Sequence, residues 1–152
     1  MGKLVIRAAT IADLDFILPE LKQFSEFYGT KKHLFPDDAA AFLAMSDMIS
    51  NHLTFIAEDE HEKYGFISGY VSKHPYNSEI TVLTETFWWV KESKRNSRAG
   101  LMLFNQFTDF GKKYCDWVIM TLEHKSPVNE ASITKRGFAP IERTYLMEIQ
   151  NG

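Results

Sequence analysis

The pattern of hydrophobic and polar positions divides this chain of 152 residues into strand-like and helix-like segments. Residues 4–8 predict an opening strand. Apolar positions at helical spacing then predict a helix that ends near Gly29, with Pro19 kinking or dividing it, and a second helix that starts after Pro36. From residue 53 the period becomes that of strands. A charged turn at residues 58–63 therefore connects two predicted strands, 53–57 and 64–71.

Residues 79–111 form the stretch around which the rest of the chain is organised. An apolar run over residues 80–90 predicts a buried strand, a basic loop follows, and a helix is predicted to start at residues 98–100 and to stop at Gly111. The N–H groups of a first helical turn have no partner within the helix, and the helix dipole adds partial positive charge there. The basic loop adds whole charges, so this unit predicts a site for anionic groups. These charges belong to Lys91, Lys94, Arg95 and Arg98.

The last third of the chain predicts a strand at residues 117–122, a short helix at 128–136 and one or two strands at 138–149. The element order is then β-α-α-β-β-β-α-β-α-β within a single domain, residues 1–152. Short turns between consecutive strands predict antiparallel pairing, and the strand-helix-strand unit predicts a parallel pair at the centre. A ligand site is expected where the pairing changes.

Composition and charge narrow the classes of function. The net charge of −3 argues against a protein that binds nucleic acid through general basicity. The single cysteine, Cys115, excludes an intramolecular disulfide and favours a structural thiol over a nucleophile. The five histidines show no metal-ligand spacing, so no metal is expected; His33 and His74 lie in predicted loops and are best interpreted as surface residues. No apolar run is long enough to span a membrane, and the N-terminus turns polar too soon for a signal peptide, which predicts a cytoplasmic protein.

Two motifs resemble those of the GCN5-related N-acetyltransferases (GNAT family). The sequence RNSRAG at residues 95–100 resembles that family's acetyl-CoA loop, Arg/Gln-x-x-Gly-x-Gly/Ala, with Arg98 in place of the middle glycine. Asn129 and the Gly137-Phe138 pair resemble the start and the end of the family's last helix. The resemblance implies an α/β (α+β mixed sheet) fold, in which a central six- to seven-stranded mixed sheet is flanked by about four helices.

The resemblance also implies a cofactor, acetyl-CoA, and the residues that bind it. Backbone N–H groups of residues 96–101 would hold the pyrophosphate, and the backbone of residues 89–91 would pair with the pantetheine arm. An arginine at position 98 would be strained at positive φ, so an ordinary helical turn is expected there. The implied cofactor-binding residues are Trp89, Val90, Lys91, Arg95, Asn96, Ser97, Arg98, Ala99, Gly100, Leu101 and Asn129.

For catalysis, Glu85 is the candidate general base, because a carboxylate inside an apolar strand should have a raised pKa. A solvent-facing strand position is the alternative interpretation, and Glu79 and Glu123 are further candidates. Many family members carry a tyrosine as general acid where this chain has Ile133. Two hypotheses follow: an N-acetyltransferase acting on a primary amine of a small molecule or a protein, or a GNAT-like CoA-binding or regulatory module without catalysis. Family members often dimerise, so the sequence leaves a homodimer open.

Overall fold

The structure is a computed structural model that describes residues 2–30 and 34–149. Its five strands form one sheet whose spatial order is the chain order: β1 (Val5–Ala8), β2 (Leu53–Glu58), β3 (Lys63–His74), β4 (Asn77–Val90) and β5 (Trp117–Ile119). The described residues form four α-helices: α1 (Leu14–Tyr28), α2 (Asp38–Asn51), α3 (Ala99–Tyr114) and α4 (Glu130–Thr134). Two single 3₁₀ turns lie at Ile11–Asp13 and Glu92–Lys94. The mixed α/β fold class is therefore confirmed.

Strand pairing follows the prediction from connection lengths. Strands β1 to β4 are antiparallel to their neighbours, and β4 and β5 are parallel. Helices α1 and α2 cover one face of the sheet, where Ile56, Phe66 and Trp89 are buried. Helix α3 covers the other face, against Ile67 and Leu83. Strands β2, β3 and β4 each contribute to both cores, so the sheet joins the two layers.

The ends of α1 and α2 follow from local chemistry. The Asp37 carboxylate caps α2 by accepting a hydrogen bond from the Ala40 N–H at 2.7 Å. Helix α1 ends at Gly29, whose φ of 77° is the left-handed conformation that glycine adopts without strain. Pro19 lies inside α1, which is one continuous helix, so the prediction that it divides the helix is wrong. The buried residues Ile17 and Leu21 lie on either side of it, and their packing offsets the hydrogen bond that proline removes.

Gly111 does not end α3, and that prediction is wrong. The helix continues to Tyr114. A Cβ atom built on Gly111 would lie 2.1 Å from Val118 Cγ2 and 3.4 Å from Leu83 Cδ2. The glycine is therefore present because the helix passes close to β4 and β5, and this need for space cannot be distinguished from a stop signal in the sequence.

The predicted count of six to seven strands is too high. Residues 138–149 form no strand with any part of the described chain, β5 ends at Ile119 rather than at residue 122, and α4 spans fewer residues than 128–136. The alternation of Tyr145, Met147 and Ile149 that predicted a strand is real, yet these side chains are 84%, 80% and 68% exposed. A strand needs a neighbour to pair with, and the local pattern cannot indicate whether one is present.

Candidate functional site

Strands β4 and β5 separate near the middle of the sheet. Their pairing covers only Val82–Thr84 of β4, whereas β4 continues to Val90. The Lys91 N–H donates to the Tyr64 carbonyl oxygen at 2.8 Å, so Lys91 and Trp89 direct their backbone groups toward β3. Because these directions alternate along a strand, Trp88 and Val90 direct theirs away from β3. We call this side of residues 85–90, which no strand of the described chain covers, the open edge.

A bulge in β4 lies at the start of the open edge. Ser68 pairs with Phe87 and Gly69 pairs with Glu85, which leaves Thr86 without an opposite residue in β3. The Thr86 hydroxyl donates to the Ser68 carbonyl at 3.1 Å. Gly69 is required here, because a Cβ would lie 2.7 Å from Phe107 Cζ. This register shift is a β-bulge, and such bulges re-aim neighbouring side chains.

Glu85 occupies the first position of the open edge. Its side chain is 6% exposed, and its carboxylate accepts a hydrogen bond from the Thr121 N–H at 3.3 Å. Burial raises the pKa of Glu85 to about 8, and the Thr121 hydrogen bond opposes that rise. Glu79, by contrast, is exposed, and Glu123 accepts from the Lys125 N–H near its own position. The structure therefore places Glu85 inside the protein and not on a solvent-facing side of the strand.

Two lysines of the basic loop, residues 91–98, form ion pairs with Glu62. Lys91 Nζ lies 2.8 Å from Glu62 Oε2, and Lys94 binds the other oxygen of the same carboxylate. The Lys94 ammonium also lies 4.7 Å from the centre of the Tyr64 ring. These contacts tie the loop to the β2–β3 hairpin, so Lys91 and Lys94 are paired in this structure.

The two arginines of the loop are placed differently. The Arg95 guanidinium stacks over the Trp89 ring at 4.3 Å, and its Nε donates to the Val90 carbonyl at 3.0 Å. Arg98 is exposed and has a φ of −82°, so replacing the family's glycine causes no backbone strain. Asn96 is exposed between them. The loop thus carries two guanidinium groups beside the end of the open edge.

The N-terminus of α3 faces the same region. Ala99 is its first residue and is buried, and its N–H donates to the Ser97 hydroxyl at 3.2 Å. The N–H groups of Gly100 and Leu101 belong to the first turn, where no intrahelical acceptor exists. A Cβ on Gly100 would lie 3.6 Å from Val90 Cγ2, which shows how near the helix start is to the open edge.

The two adjacent tryptophans lie on opposite faces of β4. Trp88 stacks on Phe104 of α3 at 5.4 Å, and its indole N–H donates to the Gly100 carbonyl at 3.2 Å. Trp89 lies in the other core and donates to Glu20 at 3.1 Å. The sequence did not predict that the backbone groups of Trp88 lie on the open edge. The side of a strand that a backbone group faces depends on register, and only the pairing partner reveals it.

The hydrogen bonds of Asn129 are made to residues of α4. Its side chain caps α4 by accepting from the Ala131 N–H at 2.9 Å, and its carbonyl accepts from the Ser132 hydroxyl at 2.7 Å. Ile133, at the position of the family's tyrosine, is half-buried. Phe138 and Arg136 contact the Phe104 ring at 5.7 and 5.8 Å. The last helix is therefore attached to α3, next to Trp88.

A cavity of about 440 Å³ lies beside the point where β4 and β5 separate. It is lined by Thr84 of β4, Ile119 and Trp117 of β5, and by His74, whose ring meets Trp117 edge-on at 5.2 Å. His33 lies outside the described residues. Burial raises the pKa of Cys115, which makes its thiol a poor nucleophile. Across residues 2–30 and 34–149, no group of three or more metal-ligating side chains occurs and no helix is long and apolar enough to cross a bilayer.

Solved structures with the same architecture are numerous, although no protein-family model and no curated protein sequence matches the chain. A transcriptional regulator from Bacillus halodurans C-125 is 16% identical, with a TM-score of 0.78 over 97% of this chain and all of that one. A ribosomal-protein-alanine N-acetyltransferase from Brucella melitensis biovar Abortus 2308 is 14% identical, with a TM-score of 0.75 over 98% and 99%. This chain has the GNAT fold.

One further structural neighbour is described together with acetyl-CoA. A predicted acetyltransferase with acetyl-CoA from Clostridium acetobutylicum is 12% identical, with a TM-score of 0.75 over 96% of both chains. Identities this low establish the common fold and leave the chemistry to be argued from this chain's own residues.

Proposed function

We propose that this GNAT-fold protein is an N-acetyltransferase, which moves the acetyl group of acetyl-CoA to a primary amine by direct attack in a ternary complex. The observation that carries the proposal is the open edge of β4, which begins at the buried Glu85 and ends beside the basic loop and the N-terminus of α3. The acceptor would be an amine of a small molecule or of a protein or peptide.

The residues of the site fit acetyl-CoA. The Gly100 and Leu101 N–H groups and the helix dipole suit the pyrophosphate, with Arg98 as a further phosphate contact. Val90 and Trp88 offer backbone groups that can pair with the pantetheine amides as a strand would. Arg95 would have to release the Val90 carbonyl, which it now contacts at 3.0 Å, and could then reach a phosphate. A neighbour with acetyl-CoA supports this cofactor.

Glu85 is proposed as the base. The neutral amine attacks the thioester carbonyl carbon, a C–N bond forms, the C–S bond breaks, and the proton lost by nitrogen goes to the Glu85 carboxylate directly or through water. A carboxylate with a pKa of about 8 is a stronger base than an ordinary one. The sulfur leaves as a thiolate, which takes a proton from water. Ile133 supplies no proton to it.

The test measures thermal stability with and without millimolar acetyl-CoA. Ligand at about 100 times its dissociation constant should add roughly 2.7 kcal/mol and raise Tm by roughly 5–10 °C. The Arg95→Ala, Arg98→Ala double variant should lose most of this shift. A Lys112→Ala, Lys113→Ala variant removes the same charge from the far end of α3 and should keep it. Absence of a shift in the wild type would contradict cofactor binding.

A second function, a GNAT-like CoA-binding or regulatory module without catalysis, is favoured by Ile133 and by the neighbour described as a transcriptional regulator. The two functions separate when thiol release from acetyl-CoA is measured with a panel of small amines and peptide N-termini. The enzyme gives amine-dependent release that Glu85→Gln reduces. The module gives a thermal shift with acetyl-CoA and no release with any amine.

A further inference from the structure

The turn between β2 and β3 carries a carboxylate, Glu62, that binds two cations of the basic loop. Its Oε2 lies 2.8 Å from Lys91 Nζ, and its Oε1 binds Lys94 Nζ. The three side chains are between 22% and 38% exposed, so each is partly withdrawn from water. Hydrogen bonds from Lys91 and Lys94 lower the pKa of Glu62, which is therefore ionised at neutral pH. A negative charge thus lies among the positive charges of the proposed phosphate site.

The turn that carries Glu62 is closed by hydrogen bonds of its own. The Asp59 carboxylate accepts from the N–H groups of His61 and Glu62, each at 2.8 Å. The same carboxylate accepts from the Tyr64 hydroxyl at 2.7 Å, and the Asp59 N–H donates to the Glu62 carbonyl at 3.0 Å. The Tyr64 ring in turn lies 4.7 Å from Lys94 Nζ. The basic loop is therefore bound to a turn that is itself internally bonded.

A continuous series of contacts connects Glu62 to the first residue of α3. The Lys94 carbonyl accepts from the Ser97 N–H at 3.0 Å and from the Ser97 hydroxyl at 2.6 Å. The oxygen of that hydroxyl accepts from the Ala99 N–H, at the start of α3, at 3.2 Å. Lys94 therefore binds Glu62 through its side chain and supports the helix start through its carbonyl. The N–H groups that follow Ala99 in the helix are those proposed to bind the pyrophosphate.

We propose that Glu62 is a positioning residue for acetyl-CoA, which holds the basic loop so that the first-turn N–H groups of α3 meet the phosphates. The inference rests on the proposed function, because it assigns a role in binding the same cofactor. Glu62 contacts the lysines of the loop and acts through Lys94 and Ser97. It leaves the phosphate contacts to the helix start and to the two arginines, Arg95 and Arg98.

The direction of the effect distinguishes positioning from electrostatic repulsion. Two unit charges about 10 Å apart in water interact by an energy that changes an affinity roughly twofold. If repulsion of the phosphates were the only effect of Glu62, removing its charge would tighten the binding of acetyl-CoA, and the two freed lysines would add to that gain. Loss of both ion pairs also lets the loop move, and a displacement of about 1 Å in a site can cost roughly 10²-fold in rate. We expect the loss of geometry to exceed the gain in charge.

The experiment measures dissociation constants for acetyl-CoA and for S-acetylpantetheine, which has the thioester arm of the cofactor and no phosphate. Glu62→Gln should weaken acetyl-CoA binding about tenfold, within the range that a displaced site group costs, and should leave S-acetylpantetheine binding unchanged. Glu62→Asp keeps the charge and shortens the side chain, so it should also weaken acetyl-CoA binding. Glu92→Gln is the matched control, because Glu92 is exposed in the same loop and loss of its charge should tighten binding by at most about twofold.

Amide hydrogen exchange of the full chain without ligand measures the positioning itself. In Glu62→Gln the amides of Ser97 and Ala99, which are bonded to the loop, should exchange faster than in the wild type. The amide of Leu103, a buried residue in the middle of α3, should keep its wild-type rate. This readout separates a loosened loop from a change in the charge of the site.

Three results would overturn the inference while the wild type binds acetyl-CoA. These are unchanged or tighter binding by Glu62→Gln, unchanged exchange at Ser97 and Ala99, and equal weakening of both ligands, which would indicate damage beyond the phosphate site. A wild type that binds no acetyl-CoA would overturn the proposed function and this inference together. The two failures are therefore distinguished by the wild type alone.

Discussion

Glu85 is the residue on which the proposed chemistry of the site depends. A buried carboxyl group with one backbone donor, the Thr121 N–H, keeps its proton at neutral pH because the charged form has lost its hydration. In the proposed mechanism the catalytic form is the ionised one, so the fraction of competent protein should rise with pH through about 8. In the proposed mechanism Glu85 places this rise near pH 8, whereas an exposed carboxylate base would place it near its ordinary pKa of 4.5.

Replacing Glu85 with glutamine should lower the rate of amine-dependent thiol release by roughly 10²–10⁴-fold, the range that general-base catalysis contributes. The remaining rate should lose the rise near pH 8. A pH–rate profile of the wild type and of Glu85→Gln measures both effects. Glu79→Gln is the control, because Glu79 is exposed, and its profile should match that of the wild type.

The same substitution should stabilise the protein at alkaline pH. The folded-state pKa of Glu85, about 8, exceeds the ordinary value of 4.5, so the native state binds more protons than the unfolded state between these values. The free energy of unfolding therefore falls as pH rises from 4.5 to 8 and is not recovered above it. Denaturant unfolding at pH 9 should show Glu85→Gln more stable by on the order of a few kcal/mol, and the difference should vanish near pH 4.

At the residue scale the sequence indicates some of the site. A carboxylate inside an apolar run made Glu85 a candidate for burial and left a solvent-facing position open, and the negative φ at Arg98 follows from the strain that an arginine would otherwise suffer. Lys91 and Lys94 looked equivalent to the arginines in the sequence. Their pairing with Glu62 across the hairpin depends on tertiary contact, which no local pattern contains.

The N-terminus of helix α3 borders the site, and the two glycines of this helix lie in different surroundings. Gly100 lies at the helix start with ordinary van der Waals space around it, the nearest atom to a Cβ being 3.6 Å away. Gly111 lies in the last turns, where a Cβ would be 2.1 Å from Val118 Cγ2. Alanine has a higher intrinsic helix propensity than glycine. The surroundings of each glycine therefore decide whether a change to alanine raises or lowers the free energy of unfolding.

Gly111→Ala should therefore destabilise the protein by about 1–3 kcal/mol, the cost of overpacking a core, despite the gain in helix propensity. Gly100→Ala should leave stability unchanged or raise it by up to about 1 kcal/mol. Denaturant midpoints of the two variants, compared with the wild type, measure both. Equal shifts in the same direction would show that α3 moves away from β5 freely, against the packing described here.

At the element scale, pairing directions were predictable and the strand count was not. Short connections require antiparallel neighbours, and the helical connection between β4 and β5 permits a parallel pair. The lengths of the connections were therefore sufficient to predict the pairing directions. The alternation of residues 145–149 predicted a strand correctly as a local preference. Whether that preference is satisfied depends on an edge elsewhere, and the described chain contains no such pairing.

At the scale of the whole molecule, a network of ion pairs around the buried Asp13 joins several elements at the N-terminal side. Asp13 is 2% exposed and accepts two hydrogen bonds from the Arg7 guanidinium at 2.8 Å. Lys63 Nζ lies 3.1 Å from the same carboxylate, and Arg7 also binds Glu58. The network joins β1, β2, β3 and the start of α1. The Arg7 guanidinium holds the pKa of Asp13 well below its usual range.

Asp13→Asn should cost about 1.5–3 kcal/mol at pH 7, the contribution of hydrogen bonds to a charged group, because the partners Arg7 and Lys63 remain partly exposed to water. The folded-state pKa of Asp13 is depressed, so its stabilising effect is complete above the unfolded pKa of about 4 and is lost as pH falls below it. Stability of the variant and the wild type should consequently converge toward pH 2. Urea unfolding at both pH values measures this, and Asp15→Asn, at a position 84% exposed, should match the wild type throughout.

The stacking of Arg95 on Trp89 also gives the protein a built-in optical reporter. Of the chain's three tryptophans, Trp89 lies beneath a guanidinium group of the basic loop, and Trp88 bonds to the first turn of α3. A phosphate group that draws Arg95 away would change the field around the Trp89 indole and hence its emission. Occupancy of the site should then be readable in unlabelled protein, by fluorescence, on the time scale of binding itself.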